Sequence, residues 1–209
     1  MNTSPGESWR KFPAPSGALT LLLCLCSACD SGSNTAPPPP VASRFEAVKA
    51  ATPGADQLAG FCDKSAQPQQ GDAFRFPAVE GSVPANTGQE RFLWLNLWAT
   101  WCKPCIEEMP MIASWQQKLA AEGKAIDVQF VSVDEDAAAV PAFRAQHPNA
   151  PASLHIADPK ALAPLISELG LDSGAGLPIH VFVEKGSRVR CVRAGAVTES
   201  HYAIVASML

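Results

Sequence analysis

The feature that most constrains the fold is the segment "RFLWLNLWA", residues 91–99, which is apolar or aromatic at almost every position. A strand with one solvated face alternates apolar and polar residues, whereas a strand covered on both faces is a near-continuous apolar run. We therefore predict a strand here that is buried on both faces of a sheet.

Helix and strand patterns alternate after this segment. Apolar residues at helical spacing predict a helix that ends at Gly123, and they are Ile106, Met109, Ile112, Trp115 and Leu119. Further strands are predicted over 125–134, 153–158, 179–184 and 188–195. Further helices are predicted over 135–147, 159–170 and 198–209. We expect Asp134 to cap the first of these three helices and Thr198 to cap the last.

The order of these elements predicts an α/β fold with a mixed central sheet flanked by helices. Strands that alternate with helices pair in parallel. The last two strands are joined by the short turn "KGS", residues 185–187, so we expect an antiparallel hairpin at the end of the sheet.

A pair of cysteines, Cys102 and Cys105, lies between the buried strand and the first helix. Unpaired N–H groups and the helix dipole favour negative charge at a helix N-terminus, and a thiolate is the attacking form of cysteine. Lys103 adds a positive charge nearby, and Pro104 fits the first turn, where its missing N–H costs little. We therefore predict that Cys102 is the nucleophile and that Cys105 is the thiol that resolves the mixed disulfide.

Two other interpretations of the cysteine pair are a metal clip and an inert structural bond. Zinc is usually held by four ligands, and one C-x-x-C supplies two. No second ligand pair at metal spacing is visible among the histidines, which are His147, His155, His180 and His201. Redox exchange is the favoured interpretation, and it needs no cofactor and no metal.

The N-terminus predicts export from the cytosol. Arg10 and Lys11 precede a short apolar run at residues 17–25, and small residues follow it. The run is shorter than the roughly 20 residues that cross a bilayer as a helix. Residues 1–28 resemble a bacterial lipoprotein signal, after which Cys29 becomes lipid-modified, although Cys26 stands where leucine is usual. Plain secretion with cleavage nearby is the alternative.

The next segments predict a domain held off a membrane. Residues 29–44 are rich in Ser and Pro and cannot bury apolar surface, so we expect a disordered tether. Residues 45–71 form an N-terminal extension to a domain over 72–209. Asp30 after the lipid-modified cysteine favours the inner membrane in some bacteria, facing the periplasm. The net charge of −4 and the absence of a basic stripe make nucleic acid an unexpected partner.

The predicted signal cleavage and lipid modification divide the seven cysteines into three groups. Cys24 and Cys26 leave with the signal, and Cys29 carries lipid. The remaining four allow three pairings. Cys102 and Cys105 are near enough to pair, which leaves Cys62 and Cys191 to close a long loop as a structural disulfide in an oxidising compartment. Two unrelated buried thiols are the alternative for the second pair.

The chain resembles the membrane-tethered TlpA/ResA-like thiol-disulfide oxidoreductases of bacteria. The resemblance is carried by "WATWCKPCIEEMP", "VSVDED" and "GLPIHVFV", and it covers roughly residues 72–209. It implies a thioredoxin-like fold with a cis-proline beside the cysteine pair.

The resemblance also implies roles for individual residues. Glu108 would lie behind the cysteines and tune their protonation, unless it is an ordinary acidic residue near a helix start. Pro178 would be the cis-proline, unless it is a trans-proline that opens an edge strand. The preceding Leu177 would offer backbone hydrogen bonds to a bound partner.

Some other residues near the cysteines are expected at the docking surface. Others differ from the residue that is usual in the family. Trp101, with Lys103 and Pro104, is expected to contact the partner. Asn96 replaces the buried aspartate of cytosolic thioredoxins, and a neutral amide cannot transfer that proton. His180 stands where the family often has a small polar residue, and it either influences the site or is simply packed.

The predicted function is reduction of disulfides in exported cysteine-containing proteins. Family precedent suggests apocytochromes or copper-site proteins as partners, with re-reduction by a thiol-disulfide electron donor in the membrane. The alternatives are a disulfide-forming oxidant and a non-catalytic copper chaperone. A peroxidase is disfavoured because peroxide reduction in this fold usually places its cysteine differently and lacks C-x-x-C.

Overall fold

The computed structural model of the 209-residue chain describes residues 58–80, 88, 90–124 and 126–209. The predicted signal peptide, the lipid-modified Cys29, the tether and residues 45–57 of the predicted extension lie outside these ranges. Within them, no helix combines the length and the apolar character that crossing a membrane requires.

The described residues form one seven-stranded mixed sheet. Its strands are β1 (Lys64–Ser65), β2 (Val79–Glu80), β3 (Phe92–Trp98), β4 (Ile126–Ser132), β5 (Ser153–Ile156), β6 (Ile179–Glu184) and β7 (Arg188–Ala194). They are arranged in the order β1-β7-β6-β3-β4-β5-β2. β3, β4 and β5 are parallel, whereas β6, β7 and the two short edge strands run antiparallel to their neighbours. The predicted mixed sheet is therefore confirmed.

Helices flank this sheet. They are α1 (Lys103–Ala121), α2 (Ala139–Gln146), α3 (Leu162–Glu168) and α4 (Tyr202–Ser207). Short 3₁₀ turns at Pro159–Ala161 and Glu199–His201 lead directly into α3 and α4. The predicted helices are thus present, and two of them begin as tighter turns.

The predicted buried strand is the centre of the core. All seven residues of β3 are buried, and β3 pairs with β4 on one side and β6 on the other. The ring centroid of Trp94 lies 4.9 Å from that of Phe182 in β6 and 6.0 Å from that of Trp115 in α1. Burying a large apolar side chain stabilises a fold by about 1.5–3 kcal/mol, so these rings anchor α1 on the sheet.

Helix α1 places one face on the core along its whole length. Its buried residues are Cys105, Glu108, Met109, Ile112, Trp115 and Leu119. The helix includes Pro110, and Gly123 follows its end with φ of +77°. A positive φ favours glycine, because a Cβ would be strained there.

The prediction that Asp134 caps a helix is wrong. Helix α2 begins at Ala139, with Ala138 as its N-cap and no side-chain hydrogen bond at the cap. The carboxylate of Asp134 instead accepts hydrogen bonds from Thr100, in the loop after β3. These donors lie across the sheet rather than along the chain, so a local pattern does not reveal them.

The predicted N-terminal extension contributes an edge strand. β1 pairs with β7, so that Ser65 lies opposite Cys191. Cys62 and Cys191 form a disulfide, with Cα atoms 5.6 Å apart. A Cβ at Gly71 would lie 1.7 Å from the carbonyl oxygen of Val189, so this close approach to β7 requires glycine.

A buried carboxylate holds the extension at a second point. Glu184, near the end of β6, accepts hydrogen bonds from the backbone N–H and the side-chain amide of Gln69 at 2.6 and 3.1 Å. The guanidinium of Arg190 lies 3.3 Å from the same carboxylate, and burial lowers the pKa of Arg190 despite the opposing charge of Glu184. The extension is therefore tied to the sheet by a covalent bond and a polar cluster.

We predict that replacing both Cys62 and Cys191 with Ala lowers the free energy of unfolding by about 2–5 kcal/mol, because the bond constrains a long loop in the unfolded chain. The sequence separation of 129 residues places the expected loss at the upper end of that range. Denaturant unfolding of the oxidised protein measures it. An unchanged midpoint in the double variant contradicts a structural role, and the same measurement with dithiothreitol controls for the other cysteines.

Candidate active site

The two cysteines of the C-x-x-C motif lie at the start of α1 and form a disulfide. Cys102 is the N-cap of the helix, and its sulfur accepts a hydrogen bond from the backbone N–H of Cys105 at 3.3 Å. Cys102 is 4% exposed and Cys105 is fully buried. After reduction, a thiolate at Cys102 would face the same N–H, which stabilises negative charge there. Cys102 is also the sulfur nearer the surface.

The loop that carries Cys102 is pinned to the end of β4. The backbone N–H and hydroxyl of Thr100 donate to the carboxylate of Asp134 at 3.0 and 2.8 Å. The hydroxyl of Ser132 donates to the same carboxylate at 2.6 Å. Because β3 and β4 are parallel, their carboxyl ends meet at one edge of the sheet, and Asp134 holds the cysteine loop at that edge.

Pro178 lies directly before β6, on the other side of β3. The Leu177–Pro178 peptide bond is cis, as expected. Ile179 pairs with Leu97 near the end of β3, which brings the start of β6 next to the cysteine loop. The structure therefore brings the proline segment and the cysteine segment together at one end of the sheet.

A groove of about 630 Å³ borders these two segments. Its walls include Trp101 from the cysteine loop and Leu177 from the proline segment. Trp101 is 72% exposed and is the only large apolar side chain with high exposure in the described part of the chain. The exposed carboxylates of Glu135 and Asp136 lie along another wall. The groove thus combines apolar surface with negative charge beside the cysteine pair.

Lys103 and Pro104 lie at the exposed start of α1. The side chain of Lys103 is 84% exposed, and its ammonium is 3.6 Å from the carboxylate of Glu107. An exposed ion pair of this kind stabilises a helix by about 0.3–0.5 kcal/mol. Both residues, like Glu107, are therefore at the surface.

Glu108 is buried behind the cysteines, one helical turn after Cys105. Its Oε1 accepts a hydrogen bond from the Asn96 amide at 2.8 Å, and its Oε2 accepts one from the backbone N–H of Val197 at 2.8 Å. Nε2 of His180 lies 3.4 Å from Oε1. A buried carboxylate needs such donors, because an unpaired charge in the interior is costly.

His180 is fully buried in β6 and contacts the same polar group of residues. Its Nδ1 lies 3.1 Å from the indole nitrogen of Trp94 and 3.2 Å from the amide nitrogen of Asn96. Burial lowers the pKa of nearby His201, and the charges of Arg193 and His180 lower it further. We call Trp94, Asn96, Glu108 and His180 the buried polar cluster.

The position of Glu108 after the cysteines predicted a role for it, but no local pattern linked it to His180 or Trp94. A signal for the cluster was present, because Asn96 and His180 interrupt strands that are otherwise almost wholly apolar. Across the described residues, no three His, Cys, Asp or Glu side chains come together in a way that could hold a metal ion.

Comparison with known proteins supports the fold and the resemblance. No protein-family model matches the sequence. The chain is 43% identical over 76 residues to the thioredoxin-like protein YneN of Bacillus subtilis, a match that covers 36% of this chain and 45% of YneN. It is 29% identical over 97 residues to the thiol-disulfide oxidoreductase ResA of Bacillus cereus, covering 46% of this chain and 51% of ResA. The chain thus spans about half the length of the curated relatives it matches.

A solved structure extends the likeness to most of the domain. The crystal structure of a Bacteroides vulgatus protein, described as a candidate thiol-disulfide oxidoreductase, superposes with a TM-score of 0.52. The superposition covers 68% of this chain and 95% of that one, at 24% identity. The chain has a thioredoxin fold. Together with YneN and ResA, this confirms the resemblance to TlpA/ResA-like proteins and places Cys102 and Cys105 at the start of the first long helix of a thioredoxin fold.

Proposed function

We propose that this chain is a thiol-disulfide oxidoreductase that reduces disulfides in exported cysteine-containing proteins. The observation that supports it is the position of the Cys102–Cys105 pair at the start of α1, directly after Trp101, which lines an exposed groove. Among the described residues, Trp101 beside this pair is the only large apolar side chain with high exposure. The likeness to ResA supports the same class of chemistry.

The proposed reaction starts from the reduced pair. The thiolate of Cys102 attacks one sulfur of the partner's disulfide, so that a bond forms between Cys102 and the partner and the partner's other sulfur leaves as a thiolate. Cys105 then attacks Cys102, which releases the second partner sulfur and restores the Cys102–Cys105 disulfide. Two electrons pass to the partner, which takes up two protons to become a dithiol.

Glu108 has a proposed role in the second step. Cys105 is fully buried and must lose a proton before it attacks, and water has little access to it. Glu108 lies one helical turn away as a buried carboxylate, and it would accept that proton.

The groove has a proposed role in docking. Trp101 offers a rigid apolar surface that loses little conformational entropy on binding, and Leu177 lines the same groove. Lys103 and Pro104 are exposed beside Cys102 and would contact the partner's chain next to its disulfide.

We predict that Cys102→Ala abolishes turnover of a disulfide probe, such as insulin or a cyclic peptide, in the presence of dithiothreitol. After reduction and removal of dithiothreitol, Cys105→Ala should instead accumulate a covalent adduct with the probe, because the mixed disulfide forms and is not resolved. Mass spectrometry of the adduct and a turnover assay measure the two effects. The double variant Cys102→Ala, Cys105→Ala is the matched control. If Cys102→Ala retained turnover, Cys102 would not be the nucleophile.

The direction of electron flow is part of the proposal. We predict that the reduction potential of the Cys102–Cys105 pair is below about −200 mV. That value is in the range of reducing proteins such as thioredoxin, whose potential is about −270 mV. Equilibration with glutathione or dithiothreitol redox buffers measures it, with Cys62→Ala, Cys191→Ala as control for the structural bond. A potential near the −120 mV or so of a strong periplasmic oxidant would assign the chain to disulfide formation instead.

We further propose that Cys29 is lipid-modified and anchors the domain to the inner membrane, where it faces the periplasm and is re-reduced by a membrane thiol-disulfide donor. The observation behind it is the basic, apolar and small-residue pattern of residues 1–29. We predict that the mature chain partitions into the detergent phase of a membrane extract and that Cys29→Ser moves it to the aqueous phase. Aqueous partitioning of the unchanged chain would refute the anchor.

A further inference from the structure

The cysteine pair is preceded by a tight turn over residues 99–102. The backbone N–H of Cys102 donates a hydrogen bond to the carbonyl oxygen of Ala99 at 3.0 Å, and this bond closes the turn. Thr100 and Trp101 are the two central residues, and Trp101 is exposed. One backbone hydrogen bond adds little net stability in water, because it replaces bonds to solvent. A turn of this kind therefore needs further contacts to keep a fixed shape.

Asp134, just after β4, supplies such a contact. Both the backbone N–H and the hydroxyl of Thr100 donate to its carboxylate, at 3.0 and 2.8 Å. Thr100 is thus held through its main chain and through its side chain. Asp134 is 4% exposed, so water has little access to replace it as the acceptor, and a hydrogen bond is stronger where water is excluded.

Asp134 is itself held by neighbouring strands. The hydroxyl of Ser132 donates to its carboxylate at 2.6 Å. The backbone N–H of Val133 donates to the carbonyl oxygen of Trp98 at 2.8 Å, which extends the contact between β3 and β4 up to Asp134. Nε2 of His155, in β5, lies 2.7 Å from the backbone carbonyl oxygen of Asp134, and that oxygen can only accept. Three strands therefore fix the group that holds Thr100.

We propose that Asp134 is a positioning residue for thiol–disulfide exchange: through Thr100, its carboxylate holds the turn that places the sulfur of Cys102 at the start of α1 in the reduced protein. This inference deepens the proposed function and rests on it for its catalytic meaning. In the oxidised protein the bond to Cys105 also holds Cys102. Reduction removes that bond, so the form that attacks the partner depends most on the contact with Asp134. The carboxylate exchanges no proton and no electron.

The placement of Cys102 affects its reactivity in two ways. Its sulfur lies 3.3 Å from the backbone N–H of Cys105, and N–H groups at a helix start stabilise a thiolate. The sulfur must also be aligned with the partner's disulfide, and a displacement of about 1 Å can slow a reaction about 100-fold. Trp101 belongs to the same turn, so a change in the turn also moves a wall of the groove.

The first test needs no substitution. Amide hydrogen exchange is measured on the oxidised protein and on protein whose Cys102–Cys105 bond has been reduced, with mass spectrometry verifying that Cys62–Cys191 is intact. Exchange reports whether a backbone N–H stays bonded and shielded from water. We expect the Thr100 amide to be protected in both forms. Exchange at the rate of an unprotected amide in the reduced form would overturn the proposal.

The second test measures the attack of Cys102 alone. Reduced Cys105→Ala protein, freed of dithiothreitol, is mixed with a peptide disulfide, and stopped-flow detection follows formation of the mixed disulfide. Adding Asp134→Ala removes the acceptor, and the second-order rate constant should fall about tenfold or more. Adding Asp134→Asn retains one acceptor oxygen for Thr100, and the rate constant should stay within about threefold. An unchanged rate constant in the Ala variant, or an equal fall in the Asn variant, would overturn the proposal.

Ser132→Ala is the matched control for stability. It removes a hydrogen bond to the same carboxylate but does not touch the turn. We expect it to lower the denaturant midpoint and to leave the rate constant of attack unchanged. Near-UV circular dichroism verifies that each variant is folded. If Ser132→Ala slowed the attack in proportion to its loss of stability, as Asp134→Ala does, the role of Asp134 would be structural only and the proposal would fail.

Variants of Thr100 test the same contact from the other side, whether or not Asp134→Ala folds. Thr100→Val removes the hydroxyl donor, whereas Thr100→Ser retains it. The rate constant of attack should fall about threefold in the Val variant and stay unchanged in the Ser variant. Thr100→Val should add no further loss to Asp134→Ala, because both substitutions break one contact. Equal rate constants in the Val and Ser variants, or additive losses, would overturn the proposal.

Hydrogen exchange separates this inference from the proposed function. If the Cys105→Ala protein forms no adduct with any disulfide, the proposed function fails. Exchange of the Thr100 amide, compared between the unchanged protein and Asp134→Ala in the reduced form, still decides whether Asp134 holds the turn. We expect the Ala variant to lose most of the protection. Equal protection in the two proteins would overturn the inference even if exchange with disulfides were fast.

Discussion

Backbone pairing of β3 with β4 on one side and β6 on the other determines where every candidate residue lies. The parallel pairing with β4 brings Asp134 to the loop that carries Cys102. The antiparallel pairing with β6 brings Pro178 to the same end of the sheet, and it places His180 directly opposite Asn96. Both faces of β3 are also covered, since all seven of its residues are buried.

The site combines a surface half with a buried half. On the surface, Trp101 lines the groove, and the next residue is Cys102, which caps α1. In the interior, Glu108 is surrounded by N–H donors, because a buried carboxylate without them would destabilise the fold by several kcal/mol. In the proposed reaction, one sulfur meets the partner and the other loses its proton away from water.

Much of the fold could be predicted because its patterns are local. The apolar run of β3, the apolar spacing of α1 and the glycine turn before β7 each depend on a few neighbouring residues. β1 and β2 were not predicted, because strands of two residues have no periodicity to detect. Asp134 was assigned to a helix cap because aspartate accepts N–H groups in either place, and only the packing of Thr100 against it decides which donors it meets.

The sequence by itself determined the candidate residues: two sulfurs one turn apart at a helix start, and an acid one turn further along. Only the tertiary structure decided which polar groups surround them. Asn96 and His180 are 84 residues apart in the chain, and they touch because two strands pair in one register. Hydrogen bonds are sensitive to differences of a few tenths of an ångström in the donor–acceptor distance. Nothing in a local stretch of residues specifies which distant strand will lie alongside, or which ring nitrogen will face a donor.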